Sequence, residues 1–460
     1  MRALRGQARR FVRALAVLCA ALGACPENNR HRPPLDRFFY PTALTVGHDG
    51  RWLYVVSSDF DLSYNGGCVA AVDLACVRAR AVDPTLRRCP GLTDAADISC
   101  NGSNVCLTSG FVRASQTRKV NPFAADAAWA AYPDRSRLYV AIRGDGSVTW
   151  FDTDDTGRLE CGADGAGGLC TDGYRVGIDE SQSPTAARLP PDPSAISIDP
   201  ARGWVLVTHQ NTDTSQGRAS LIRDRAATGG TGTPVLLNVV GGVSLGITDA
   251  ALLPRASDTD PARSTWMTVS RVEASINLFQ AYPGNAAIGD GGPLLYRSAV
   301  VPVRGLSTGA NSRAIALDPS PDAARAFVIS RSPEALLTLR WSPSNPSDVS
   351  VTDAFPLPSG PSRLAVVRDG GQTLVYAVSY DARRVTVFDP DARRVVASIP
   401  TGRGPHAIAV DPTPGQRILY VVNFLDSALE VIDLRPPADP ASPGTYHQRV
   451  LTLGPALPTS

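Results

Sequence analysis

Lysine is almost missing from this chain of 460 residues: Lys119 is the only one, so nearly all positive charge is arginine. That is a habit of composition, and no function follows from it. Net charge is scarce too, a formal +2, which removes the basic excess that a nucleic-acid footprint needs. No apolar run approaches the roughly twenty residues required to cross a bilayer. Histidine is sparse: His31, His48, His209, His406 and His447 fall in separate segments with no i, i+4 pair and no HExxH arrangement, so a metal cluster is not expected. GxSxG elbows, P-loops and dinucleotide fingerprints do not occur in a strand–turn–helix context. Nucleophilic and nucleotide chemistry lose their usual signatures, and no cofactor is expected. CxxC spacing is missing as well, and with it metal knuckles and haem attachment.

Turn-formers are abundant, 40 Gly and 38 Pro, the punctuation of many short strands. At the N-terminus, Arg2, Arg5, Arg9, Arg10 and Arg13 precede the apolar run from Ala14 to Leu22. Basic residues followed by a short apolar run read as an export signal. Leu22-Gly23-Ala24-Cys25 resembles the bacterial lipobox, which implies cleavage before Cys25 and acylation of its thiol. Pro26 in place of Asp favours the outer membrane. The expected organisation is a signal peptide over 1–24, a lipidated N-terminus and polar tether over 25–40, a repeat domain over 41–454 and a tail over 455–460. The expected location is a membrane surface facing the periplasm or the outside, held through the lipid.

One pattern recurs along the repeat domain. Its clearest copy runs Gly404-Pro405-His406-Ala407-Ile408-Ala409-Val410-Asp411-Pro412, then Ile418-Leu419-Tyr420-Val421-Val422-Asn423, then Ala428-Leu429-Glu430-Val431-Ile432-Asp433, with a fourth apolar segment at Val450-Leu451-Thr452-Leu453. Equivalent copies span Pro41 to Asp73, Pro122 to Asp152, Pro193 to Asp224, Gly246 to Phe279, Ser312 to Leu339 and Pro361 to Asp389. Four strands per unit and seven units specify an all-β, seven-bladed β-propeller of four-stranded antiparallel blades. The first two strands of each unit are apolar nearly throughout, as strands covered on both faces should be. The third is expected to alternate near the rim, as Leu429 and Val431 do with Glu430.

Tyr420-Val421-Val422-Asn423 followed by Leu429-Glu430-Val431-Ile432-Asp433 closely resembles the YVTN propeller repeat of bacterial and archaeal surface proteins, and Leu53-Tyr54-Val55-Val56 and Leu138-Tyr139-Val140-Ala141 are weaker copies. The resemblance covers nearly all of 41–453. It implies the fold and is almost silent on chemistry, since such propellers host binding, scaffolding and hydrolytic roles.

Beyond Cys19 and Cys25, seven cysteines remain, and an exported chain makes disulfides the default. Cys161 and Cys170 bracket a glycine-rich loop and are expected to pair. The other five crowd into the first repeat and its long insertion, about 75–118; there Cys100 with Cys106 and Cys68 with Cys76 are expected, leaving Cys89 free. Sequence does not settle this connectivity. Asp152, Asp154, Thr156 and Gly157 imitate the start of a calcium loop, but Ala163 stands where the bidentate Glu should be. A solvated turn is the expectation.

Aligning the repeats places Ser58, Arg143, Gln210, Arg271, Arg331, Tyr380 and Phe424 just after the second strands, and Arg313, Arg363 and His406 at entries to the first strands. Arg143, Arg271, Arg331, Arg313, Arg363 and His406 would then share one face. Clustered guanidiniums favour carboxylate or phosphate ligands. The competing expectation is that they pair with Asp59, Asp61, Asp145, Asp381 and Asp426 in the same loops. The leading function is a membrane-tethered binding or protein-interaction module, for an anionic small molecule or an unidentified protein, more a binder than an enzyme. A lactonase-like extracytoplasmic hydrolase and a structural envelope protein are the alternatives.

Overall fold

The computed structural model describes residues 31–454 apart from 93–95, 102–103, 181–182, 184–186, 212–215, 225–231, 255–262, 284–293, 304–310, 321–322, 370, 414 and 437–443. The segment expected to be a signal peptide, Cys25 and the C-terminal tail lie outside the described residues. Of the segment expected to be a tether, 31–40 is described and lies along the first blade. Phe38 and Phe39 are buried there, and the carbonyls of Leu35 and Asp36 accept from Thr117 and Thr108 hydroxyls.

Seven antiparallel sheets follow one another along the chain. Their innermost strands are Pro41–Gly47, Ala124–Ala131, Pro193–Asp199, Ile247–Leu252, Ser312–Leu317, Pro361–Asp369 and Pro405–Val410. Each packs beside the next, and Pro405–Val410 returns to Pro41–Gly47, so the ring is closed. The strands alternate their side chains between two neighbours, which is why they are apolar on both faces. In Ser136–Ile142, Leu138, Val140 and Ile142 face blade 1, while Tyr139 and Ala141 face blade 3. Five junctions therefore have an apolar layer of their own, and one larger cluster spans blades 7, 1 and 2 and serves both junctions of blade 1. Burying one Val or Leu fully in such a layer contributes ~1.5–3 kcal/mol.

The expected alternation of the third strand is corrected: Ala428–Asp433 is buried at every residue. Glu430 is enclosed, accepting from the amide of Gly402 and from Arg449. Alternation appears one strand farther out, in Asn345–Pro356 of blade 5, because only the fourth strand has a solvent side. Buried aspartates at strand ends tie the turns. Asp199, Asp318, Asp389, Asp411 and Asp433 each accept a backbone amide two residues ahead, the Asx-turn geometry of this side chain.

The insertion in blade 1 crosses to blade 7. Asp73 caps the helix Leu74–Val82 through the amide of Cys76. Farther on, Cys100–Asn101 and Val105–Cys106 form a hairpin closed by the Cys100–Cys106 disulfide. Val105–Cys106 then joins the outer strand Gln448–Leu453 of blade 7 in parallel register. The blade 2 loop closed by Cys161–Cys170 pairs main chain with Lys119 on the outer strand of blade 1. The expected Cys68–Cys76 bond is wrong: Cys76 bonds Cys89, and among the described residues Cys68, not Cys89, is the free thiol. Cys68 sits in the strand Gly67–Asp73, and the five strand residues to Asp73 carry the chain roughly 16 Å away before the helix turns Cys76 toward Cys89. Burial pushes the Cys68 thiol up to about 12, leaving it unreactive.

Candidate functional site

The seven residues aligned after the second strands are structurally equivalent. The amides of Ser58, Arg143, Gln210, Arg271, Arg331, Tyr380 and Phe424 donate in turn to the carbonyls of Tyr40, Phe123, Asp192, Gly246, Asn311, Gly360 and Gly404, each just before an innermost strand. Six of those acceptors have left-handed backbone, three of them glycines and three Tyr40, Phe123 and Asp192. At Gly360 a Cβ would come within 2.2 Å of Asp381. For an L side chain this conformation costs about 1–2 kcal/mol, so Tyr40 and Phe123 occupy positions the backbone prefers to give to glycine.

Each innermost strand begins with a register shift that leaves its second residue unpaired. A bulge of this kind re-aims a side chain, and here it turns Thr42, Ala125, Ser194, Thr248, Arg313, Ser362 and His406 into a single cavity of about 960 Å³ at the channel mouth. Several bulge residues stitch their blade to the next. Thr42 donates to the carbonyl of Ala124, Ser194 to Ile247 and Thr248 to Ser312. His406 closes the ring, its Nδ1 donating to the carbonyl of Thr42 at 2.9 Å. This fixes the tautomer and leaves Nε2 with no hydrogen-bond partner among the described residues. Burial, and next the charge of Arg363, hold His406 neutral, down to about 4.

Arg313 departs from the stitching pattern. Its Nε is buried without a hydrogen-bond partner among the described residues, and Arg331 makes the blade 5 to blade 6 contact instead, donating to the carbonyl of Pro361 at 2.8 Å. Burial, then the like charges of Arg331, Arg271 and Arg363, lower Arg313 to about 10. One residue deeper in their strands stand Asp126 and Asp249. They accept the amides of Ile196 and Ile315 from the following blades, and Arg363 lies 3.9 Å from Asp249. Burial raises both carboxyls against the pull of Arg363, Asp126 to about 6.

Of the six residues predicted to share a face, Arg143, Arg313, Arg331, Arg363 and His406 line the cavity. Arg271 reaches Asn211 at its edge. Of the five expected carboxylate partners, Asp145 pairs with Arg175, Asp426 with Arg403, Asp61 holds Ser63 and Asp59 accepts the amide of Tyr64, while Asp381 lines the cavity with the arginines. Arg143 pairs with Asp192, which the alignment had not singled out. Also unanticipated are Asp126 and Asp249 behind the lining, and the rings of Phe60 and Phe123, which join the aligned Phe424 in an aromatic wall. The left-handed position shared with glycines is the signal that could have exposed Phe123. Among the described residues, no group of three His, Cys, Asp or Glu is placed to hold a metal. Asp154 of the calcium-like segment instead caps its own turn through Thr156 and Arg158, and Asp152 pairs with Arg137.

Comparisons with known proteins agree with this architecture. Residues 322–414 match the model of the YNCE-like beta-propeller family. The fold is similar to that of hydrazine synthase from Kuenenia stuttgartiensis, at 15% identity and a TM-score of 0.54 over 88% of this chain and 98% of that one. It is also similar to a functionally unknown protein from Desulfotomaculum acetoxidans, at 11% identity and a TM-score of 0.50 over 80% and 89%. No curated protein matches the chain. At such identities the likeness speaks for the fold alone. With its closed ring of seven four-stranded blades and this family match, the chain is a seven-bladed β-propeller consistent with the YVTN type.

Proposed function

We propose that the chain is a binding module that takes an anionic small molecule in its channel mouth, on Arg313, Arg331 and Arg363, with Arg143 and Arg271 at the edge. The observation that carries this reading is Arg313, a half-buried guanidinium aimed into a concave site and surrounded by like charges. A carboxylate or phosphate would relieve that repulsion and take forked hydrogen bonds from the same groups. The cavity has the size of a small-molecule site. We further propose that the module is exported and lipid-anchored at Cys25, as the lipobox-like Leu22-Gly23-Ala24-Cys25 implies.

A hydrolase would draw on the same cavity, with the open Nε2 of His406 as general base. At about 4 that base is far below the operating range of an efficient one, so binding is the preferred reading.

The test is a thermal-shift titration with sulfate, phosphate and citrate, comparing the native chain with an Arg313→Ala, Arg331→Ala variant. Stabilisation of the native chain, reaching about 2.7 kcal/mol at a hundredfold excess over Kd and lost in the variant, supports the site. Equal behaviour of the two proteins removes it. For the anchor, mass spectrometry of the mature N-terminus should find acylated Cys25; an unmodified residue after another cleavage ends that claim.

A further inference from the structure

The cavity is divided in chemistry. Arg313, Arg331 and Arg363 of blades 5 and 6 line one side, with Arg271 of blade 4 at the edge; blades 7, 1 and 2 line the other, where the arginine present, Arg143, is held by Asp192. There Phe60 stands between two rings, edge-on to Phe123 at 6.3 Å and to Phe424 at 5.4 Å, with Tyr40 at 6.4 Å. Phe60 is 59% exposed, although a loop residue in a mouth lined by polar groups has no folding reason to be aromatic. Tyr40 and Phe123 hold their rings beside it from left-handed backbone, positions that three other blades give to glycine. An exposed apolar group rimmed by polar residues marks a contact surface. With more than half of its surface exposed, Phe60 has room for a further ring. His406 joins the two sides: its ring lies 5.8 Å from Phe424, and the charges of Arg363, Arg331 and Arg313 act on it.

Building on the anion-binding reading, we infer that the ligand is an aryl anion: a small organic molecule whose carboxylate or phosphonate-like head meets Arg313 and Arg331 while an aromatic body stacks on Phe60. Anion and ring are then read by opposite arcs of the ring of blades, and the Nε2 of His406 is left to accept a donor on the body. A free inorganic anion would use only half of the cavity.

Calorimetric titration with phenylphosphonate, methylphosphonate and benzyl alcohol separates the two contributions, because the first two share a head group and differ in the ring. The expected result is that phenylphosphonate binds about tenfold tighter than methylphosphonate, in keeping with one aromatic contact. Phe60→Ala, at an exposed position, should abolish that ratio without changing methylphosphonate affinity, and Arg313→Ala should weaken both. If the two phosphonates bind the native chain equally, the aryl assignment fails and the anion site stands. Failure of both phosphonates to bind, or retention of both affinities by Arg313→Ala, overturns the anion reading and this inference with it.

Discussion

The junctions on either side of blade 1 and those farther round the ring hold their blades together by different means. At blade 1 the fastening is main-chain pairing by loops that disulfides close, with one ion pair beside it. A disulfide-closed hairpin extends blade 7, a second disulfide-closed loop pairs with the outer strand of blade 1, and the helix sends Arg78 to buried Asp411 at 2.7 Å. Elsewhere buried charge crosses the gap. Arg137 of blade 2, only 1% exposed, meets Asp224 of blade 3 at 2.6 Å, and Arg325 of blade 5 joins Asp318 to Asp391 of blade 6. The closing junction is the one whose two blades are not consecutive in the chain, and the hairpin and Arg78 fasten it, while the Cys161–Cys170 loop fastens the junction of blades 1 and 2. The proposed cationic arc lies well away from these fasteners, where the mouth holds like charges together at a cost to stability.

Three measurements would break or sharpen this contrast. The largest effect should come from Asp224→Ala, which leaves the buried Arg137 guanidinium with Asp152 as its one carboxylate and takes away the acceptor of the buried Tyr139 hydroxyl. A loss of about 3–5 kcal/mol is expected, read as a lower denaturation midpoint, and a change under 1 kcal/mol would mean that charge does not hold the unclasped junctions. Next is Cys100→Ser with Cys106→Ser. Releasing a loop of sequence separation 6 should cost about 2 kcal/mol by chain entropy and raise hydrogen exchange at Val105 and Thr452 before it rises at blade 4. Uniform exchange around the ring would refute the clasp.

The smallest effect is a pH slope that touches both regions. His209 in blade 3, His406 at the closing junction and His447 in blade 7 are all lowered to about 4 by burial. Below the unfolded value of about 6.5 the unfolded chain binds their protons first, so the stability they contribute is lost as pH falls from there toward 4. Asp126, raised to about 6, has the opposite sign: its ionisation weakens the fold as pH rises from about 4 to about 6. Asp249 and Glu430, also raised by burial, share the sign of Asp126, but between pH 7 and pH 5 the three imidazoles outweigh the carboxyls, because the unfolded imidazole value lies inside that window and the unfolded carboxyl values lie below it. The denaturation midpoint should fall between pH 7 and pH 5, and His209→Gln should make that fall shallower. A flat profile would contradict the assignment.

Blade number, strand order and the equivalence of the seven loops were legible because two-sided burial writes itself into runs such as Leu419-Tyr420-Val421-Val422. The bulges were not legible, since the unpaired position accepts Thr, Ala, Ser, Arg or His alike and only the pairing register reveals it. Without the bulge, Arg313 and His406 could be placed on a face but not aimed into the channel. Cysteine pairing failed where a helix intervened: Cys76 lies closer in sequence to Cys68, yet the Asp73 cap sends it to Cys89. Phe60 escaped notice because Asp59 and Asp61 on either side gave its loop a polar signature.

The parallel pairing of Val105–Cys106 with the strand Gln448–Leu453 joins an early stretch of the chain to nearly its last. As the polypeptide is made from its N-terminus, the hairpin waits with an unfilled edge until blade 7 arrives. The outer latch of the ring is thus set late, and a chain cut short before residue 448 would keep the inner contact of Pro405–Val410 with Pro41–Gly47 but leave the hairpin with no strand to join.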